Sequence, residues 1–180
     1  MLIAVVSDTH RMIKYIDLAK KVIKDADILI HLGDNIEDAE LLEQDFKGEV
    51  YIVAGNCDYS RKYPKETIIE VNGRKIFFTH GDLYGVKSSI NNIYYRGREL
   101  GVDIVLFGHT HQQLMEEEDG LILMNPGSIS IPKSKGRCIG FIEINDIGKI
   151  DTYFREIKIW KLNLLIDFRL LKMISQWLFW

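Results

Sequence analysis

Five short apolar runs in this chain each end in the same kind of polar cluster, and this recurrence constrains the fold more than any other feature. The clearest is Ile28-Leu29-Ile30-His31-Leu32, which breaks at Gly33-Asp34. The others break at Ser7-Asp8-Thr9-His10, Gly55-Asn56-Cys57-Asp58, His80-Gly81-Asp82 and Gly108-His109-Thr110-His111. A continuous apolar, β-branched run reads as a strand buried on both faces. A carboxylate directly after such a strand sits in the rim crevice where open α/β sheets bind ligands. Taken alone, Asp34 is equally a cap for the following helix. Five strand ends of one kind point instead to a shared site.

The segments between these strands follow the same logic. Met12, Tyr15, Ile16, Ala19, Val22 and Ile23 recur at helical spacing, and so do Ile36, Ala39, Leu42 and Phe46. With strands over 2–6, 28–32 and 49–54, this predicts a β-α-β-α-β opening with parallel strands and right-handed crossovers. Asn72-Gly73 between residues 67–71 and 74–79 is a hairpin signal, because Asn-Gly suits a type I′ turn. Val86, Ile90, Ile93, Tyr94 and Gly97 mark a third helix, followed by a strand over 103–107. The remainder reads as β: 113–118 and 121–124 around Asp119-Gly120, a tight turn at Asn125-Pro126-Gly127-Ser128, then 138–144 and 149–157. An α/β half followed by a mostly antiparallel half predicts two sheets packed face to face with helices outside.

The 180 residues, 47% of them hydrophobic, suffice for one domain with a sizeable core. We place it at 1–158 and treat 159–180 as a C-terminal extension. There Leu162, Ile166, Leu170, Met173, Ile174 and Trp177 share one helical face, which suits an amphipathic helix docked on its own domain, a dimer contact, a membrane-surface helix or an appended segment with no function. A net charge of −3 argues against an extended nucleic-acid groove. No stretch approaches the ~18 apolar residues of a transmembrane span. Cys57 and Cys138 form no CxxC pair and fit a reducing cytoplasm.

Asp8, His10, Asp34, Asn56, His80, His109 and His111 are the candidate ligands, and they take four of the five histidines. Seven such donors from five loops suit two divalent ions sharing a bridging carboxylate, roughly 3.5–4 Å apart. Mixed imidazole and oxygen donors suit Mn, Fe, Ni, Co or Zn. A hydroxide held between two such ions is a nucleophile at neutral pH, and the ions also neutralise a phosphoryl group.

Asp8-x-His10, Gly33-Asp34, Gly55-Asn56-x-Asp58, His80-Gly81 and Gly108-His109-x-His111, in this order and each after a strand, resemble the signature blocks of the calcineurin-like metallophosphoesterase superfamily. The Gly-Asn-Cys-Asp form resembles its small bacterial and archaeal phosphodiesterase branch. The resemblance covers about residues 1–157. It implies a four-layer αββα sandwich of two mixed sheets. It also implies that Asp8, His10, Asp34 and His111 hold one metal, and that Asp34, Asn56, His80 and His109 hold the other. Asp34 then bridges, and Asn56 and His109 stand with it at the reacting centre. Manganese leads the candidate metals, with nickel, iron, cobalt and zinc as the alternatives. Small members of the family are often dimers or tetramers, so a homo-oligomer stays open.

Cys57 departs from the family pattern, in which many members carry His beside the Asn ligand. A thiol is a weak hydrogen-bond donor and mostly neutral at pH 7, so a strong general acid on the leaving-group side is missing. The alternative is a small packing residue. His31, inside its strand, reads as a core histidine. Asp58 and Asp82 read as turn, capping or supporting residues, and Glu116-Glu117-Glu118-Asp119 as a solvated hairpin tip. Asn125 and Ser128 either face the site or serve only their turn. The function implied is a cytoplasmic, metal-dependent phosphodiesterase acting on small phosphodiesters, best on those with good leaving groups. A non-catalytic interaction scaffold of the same fold and a nuclease of the superfamily are the alternatives.

Overall fold

The computed structural model describes residues 1–134 and 136–158, so the extension expected over 159–180 lies outside the described residues. The chain opens β1 (Leu2–Val6), α1 (Ile13–Ile23), β2 (Ile28–His31), α2 (Ile36–Glu43), β3 (Glu49–Ile52), and these three strands pair in parallel. Side chains alternate across a strand. Ile3 and Val5 therefore face one apolar layer while Ala4 and Val6 face α1 through Ile16 and Ala19. Both faces of β1 are covered, which is why its sequence is apolar without alternation.

A hairpin follows, β4 (Glu66–Val71) and β5 (Arg74–Thr79), turning at Asn72 (φ 48°) and Gly73 (φ 73°) as a type I′ turn requires. Next come α3 (Asn91–Leu100), β6 (Ile104–Leu106), β7 (Gln113–Glu118), β8 (Leu121–Pro126), β9 (Cys138–Ile144) and β10 (Ile150–Glu156). The strands form two mixed five-stranded sheets, in the orders β10-β9-β1-β2-β3 and β4-β5-β6-β8-β7. The inner layer joins them: Val5, Ile30 and Ile142 from the first meet Ile76, Phe78, Leu106 and Met124 from the second. The helices α1 and α2 cover the first sheet, and α3 covers the second through Ile93 against Phe77 and Val105. The result is the αββα sandwich.

Two expectations need correcting. The sheets do not divide the chain into halves: β9 returns to the first sheet, antiparallel to β1, and β8 runs parallel to β6. Local patterning marks β9 as buried on both faces but carries no information on which open edge it fills. The third helix starts at Asn91, not near Val86. A 3₁₀ turn over Asp82–Tyr84 and a left-handed Gly85 (φ 63°) occupy the preceding stretch. Ser89 Oγ then accepts the Asn91 N–H at 3.1 Å, so the helix begins only there.

Candidate metal centre

Each of the five expected loops follows a strand: β1 leads to Asp8 and His10, β2 to Asp34, β3 to Asn56, β5 to His80, and β6 to His109 and His111. Within each sheet these strands run parallel to one another, β1, β2 and β3 in the first and β5 and β6 in the second, so their carboxyl ends gather the loops. Asp8, His10, Asp34 and His111 each bring a ligand atom within 4.8 Å of the others, and Asp34, His80 and His109 do the same. Asp34 belongs to both clusters. Asn56 joins the second, its Oδ1 3.2 Å from His80 Nε2. All seven predicted residues therefore converge.

The backbone is bent to achieve this. Asp8 (φ 55°), His10 (46°), Asp34 (61°), His109 (66°) and His111 (60°) all occupy the left-handed region. Asp and His tolerate that region better than bulkier residues, at a cost of about 1 kcal/mol or more each. Two glycines make room for the carboxylates. A Cβ on Gly55 would meet Asp34 Oδ1 at 2.2 Å, and one on Gly108 would meet Ser7 Oγ at 2.0 Å and Asp8 Oδ2 at 2.9 Å.

The hydrogen bonds leave acceptors facing acceptors. His80 Nδ1 lies 2.8 Å from the Leu32 carbonyl and donates to it, so toward a bound metal the ring presents its lone pair at Nε2. That lone pair faces His109 Nδ1 at 3.0 Å and Asp34 Oδ1 at 3.4 Å, besides Asn56. His111 repeats the arrangement, with Nδ1 on the Ile131 carbonyl at 3.0 Å. Its Nε2 faces Asp8 Oδ1 and His10 Nε2, both at 3.1 Å. Asp8 Oδ1 is buried with no hydrogen-bond donor aligned on it. Lone pairs at these separations are held together only by positive charge between them, a proton or a metal. The donor set fits borderline first-row divalent ions.

Charge within the site is consistent with this. Burial pushes Asp8 up, but in the metal-free protein a protonated His111, its Nε2 3.1 Å from Oδ1, and the Ser7 hydroxyl on Oδ2 hold its carboxyl below the usual range. Burial and neighbouring His80 push the His109 ring down, and the bond to Asp8 raises His111. Cys57 donates its backbone N–H to Asp34 Oδ1 at 3.0 Å. Desolvation and that same carboxylate push its thiol up to about 11, so it is protonated at neutral pH.

The supporting residues are more specific than their sequence context indicates. Asp58 is buried and accepts four backbone N–H groups: Asn35 (2.8 Å) and Ile36 (3.1 Å) on Oδ1, Asp34 (2.9 Å) and Gly55 (2.8 Å) on Oδ2. Asn125 Nδ2 donates to the Gly108 carbonyl at 2.8 Å, and Ser128 Oγ donates to the Asp8 carbonyl at 2.7 Å. These two residues fix the loops of His109 and Asp8 and are buried.

His31 stays outside both clusters, as a core histidine. The Gly33 N–H donates to its Nδ1 at 3.2 Å, and Nε2 lies 3.4 Å from Thr9 Oγ1. Burial pushes its pKa down to about 4, against an ordinary value of 6.5. The unfolded chain therefore takes up this proton first as pH falls. Stability is complete above about pH 6.5 and is lost on the way down to pH 4, by about 3 kcal/mol in all. Chemical denaturation of the metal-free protein across this range should show His31→Gln losing that part of the pH dependence. An unchanged slope in the variant overturns the assignment.

Fold and site together define an αββα sandwich with a candidate metal centre on the carboxyl ends of parallel strands. A family model described as "Calcineurin-like phosphoesterase superfamily domain" matches residues 1–146. The chain belongs to that superfamily. It is 37% identical over 135 residues to the probable metallophosphoesterase YsnB of Bacillus subtilis, covering 74% of this chain and 78% of that one. It is 28% identical over 177 residues to a Methanocaldococcus jannaschii protein named as a phosphodiesterase, covering 88% and 97%. In structure it resembles a Vps29 from Entamoeba histolytica, with a TM-score of 0.71 at 22% identity over 88% of this chain and all of the other, a likeness of fold alone.

Proposed function

We propose that this protein is a metal-dependent phosphodiesterase that hydrolyses small phosphodiesters at a pair of divalent ions. Asp8, His10, Asp34 and His111 would hold one ion, and Asp34, Asn56, His80 and His109 the other. The observation that carries this reading is the convergence of acceptors on acceptors in two clusters that share Asp34. Two such ions, when bound, supply a nucleophile from water at neutral pH and neutralise charge on a phosphoryl group. Manganese is our leading candidate, with nickel, iron, cobalt and zinc compatible with the same donors.

The chain's own residues set the rest. Asp34 ties the two halves of the centre together and is held in place by the Cys57 N–H. Asn56 contributes a neutral oxygen, which keeps the site's negative charge low enough to accept an anion. The hydrogen bonds of His80 and His111 to backbone carbonyls fix which ring nitrogen faces inward. The neutral Cys57 thiol on the leaving-group side is a poor acid, which favours esters whose leaving group departs without a proton. Cys57→His should raise kcat/KM on alkyl-leaving diesters by about tenfold or more, in line with general acid catalysis, and change it little on p-nitrophenyl esters. Equal effects on the two substrate types count against Cys57 as the limiting feature.

The deciding experiment strips the protein with a chelator and adds back Mn²⁺, Ni²⁺, Zn²⁺ or Mg²⁺, with bis-p-nitrophenyl phosphate as substrate. Hydrolysis restored by one or two of these ions supports the reading. Folded, metal-bound protein that hydrolyses nothing transfers the assignment to an interaction scaffold. The cytoplasm is our proposed compartment. Both cysteines are free, and no helix among the described residues is long and apolar enough to cross a membrane.

A further inference from the structure

Beside the candidate metal centre lies a cavity of about 220 Å³, between the turn over residues 86–90 and the segment 110–114. Its lining touches two of the loops that carry candidate ligands. One wall is Thr110, the residue between His109 and His111. The floor includes Val86 and Phe107, and both press on Gly81, next to His80: a Cβ there would meet Val86 Cγ2 at 2.9 Å and Phe107 Cβ at 3.4 Å.

The chemistry of the lining is mixed in a particular way. Val86 and Phe107 are buried and give an apolar base. Above it stand Lys87, Ser88 and Gln112, all exposed. Among the described residues their side chains make no hydrogen bond or ion pair to the protein. Thr110 is different. Its hydroxyl donates to the Gln112 carbonyl and accepts from Asn125 Nδ2 at 3.0 Å, so it shapes the wall and has little left to offer a ligand. A hydroxyl, an amide and one ammonium group over an apolar base match a carbon frame that carries several hydroxyls, since hydroxyls both donate and accept.

We propose that this cavity is the subsite for a hydroxylated arm, of the pentose class, esterified to the phosphate that is cleaved at the metal centre. The assignment rests on the phosphodiesterase reading for the position of that phosphate. Lys87 and Gln112 contact the arm's hydroxyls, and the scissile group stays over the His109–His111 loop.

The test uses the Lys87→Ala/Gln112→Ala double variant, both positions being exposed. In calorimetric titrations of the Mn²⁺-loaded protein, the wild type should bind ribose 5-phosphate about tenfold more tightly than inorganic phosphate, the effect of one or two additional hydrogen bonds. The variant should bind both alike. A wild type with no preference, or a variant that keeps it, overturns the proposal. Hydrolysis gives a second readout with the leaving group held constant. The ratio of kcat/KM for the p-nitrophenyl ester of ribose 5-phosphate over bis-p-nitrophenyl phosphate should fall by about tenfold in the variant. If neither ester is hydrolysed but the binding preference is present and sensitive to the substitutions, the subsite stands and the phosphodiesterase reading fails. If both esters are hydrolysed and the ratio does not move, the subsite fails alone.

Discussion

Asp34→Asn should lower kcat on bis-p-nitrophenyl phosphate by about 10³ or more while leaving the fold intact. The size of the effect follows from where the carboxylate lies. Asp34 is the member common to both clusters, so its loss weakens both halves of the centre at once. The fold should survive because an asparagine has the same shape, and its Oδ1 can still accept the Cys57 N–H that now lies 3.0 Å from the carboxylate. Steady-state kinetics with calorimetric metal titration and a thermal melt separate the two effects. Activity within tenfold of the wild type in a variant that still binds metal would remove Asp34 from the centre of the mechanism.

Asp58→Ala should act in the opposite way, through stability first. Four backbone N–H groups from two loops end on this one buried carboxylate. Leaving several of them without an acceptor costs about 1–3 kcal/mol each, less whatever water recovers. We expect a loss of about 4 kcal/mol, or a fall in Tm of about 8 °C or more for a chain of this size. Asp58 also neutralises the start of α2, a helix with no side-chain cap from Asn35. Asp58→Asn should fall between the two, because a carboxamide offers one oxygen and turns an NH2 toward the remaining donors. Since two of the four donors are the amides of Asp34 and Gly55, metal affinity should drop with stability. A variant as stable as the wild type would show that water satisfies these amides and that Asp58 does not organise the loops.

The fold was legible where burial and chirality act locally. The unbroken apolar runs of β1 and β2 announce strands covered on both faces, and Asn72-Gly73 announces its turn through the positive φ it needs. The convergence of the seven candidate positions was legible because each follows a strand and four of the five breaks have a neighbouring glycine. What escaped depends on partners remote in sequence. Nothing near Cys138–Ile144 states that this strand fills the edge of β1. Asp58 looks like a turn residue because three of its four donors, at Asp34, Asn35 and Ile36, lie more than twenty positions upstream. Asn125 and Ser128 carry ordinary turn chemistry and reveal their purpose only through the carbonyls of Gly108 and Asp8. The late start of α3 was missed because Val86 and Ile90 have helical spacing yet pack from an irregular turn against the same cluster as Ile93.

The return of β9 to the edge of β1 also bears on how the molecule is made. Leu2 pairs with Glu143 and Val5 with Gly140, so β1 waits for a strand made far later in the chain. Until then β1 has an open edge, and its Asp8 loop lacks the Ser128 anchor that comes from the same late stretch. His111 likewise waits for the Ile131 carbonyl. Such distant pairings are slow to form. The candidate site can therefore assemble only after the stretch from Ser128 to Ile144 has followed Asp8 out, so the loops that gather its residues are fixed by late pairings and not by their own local turns.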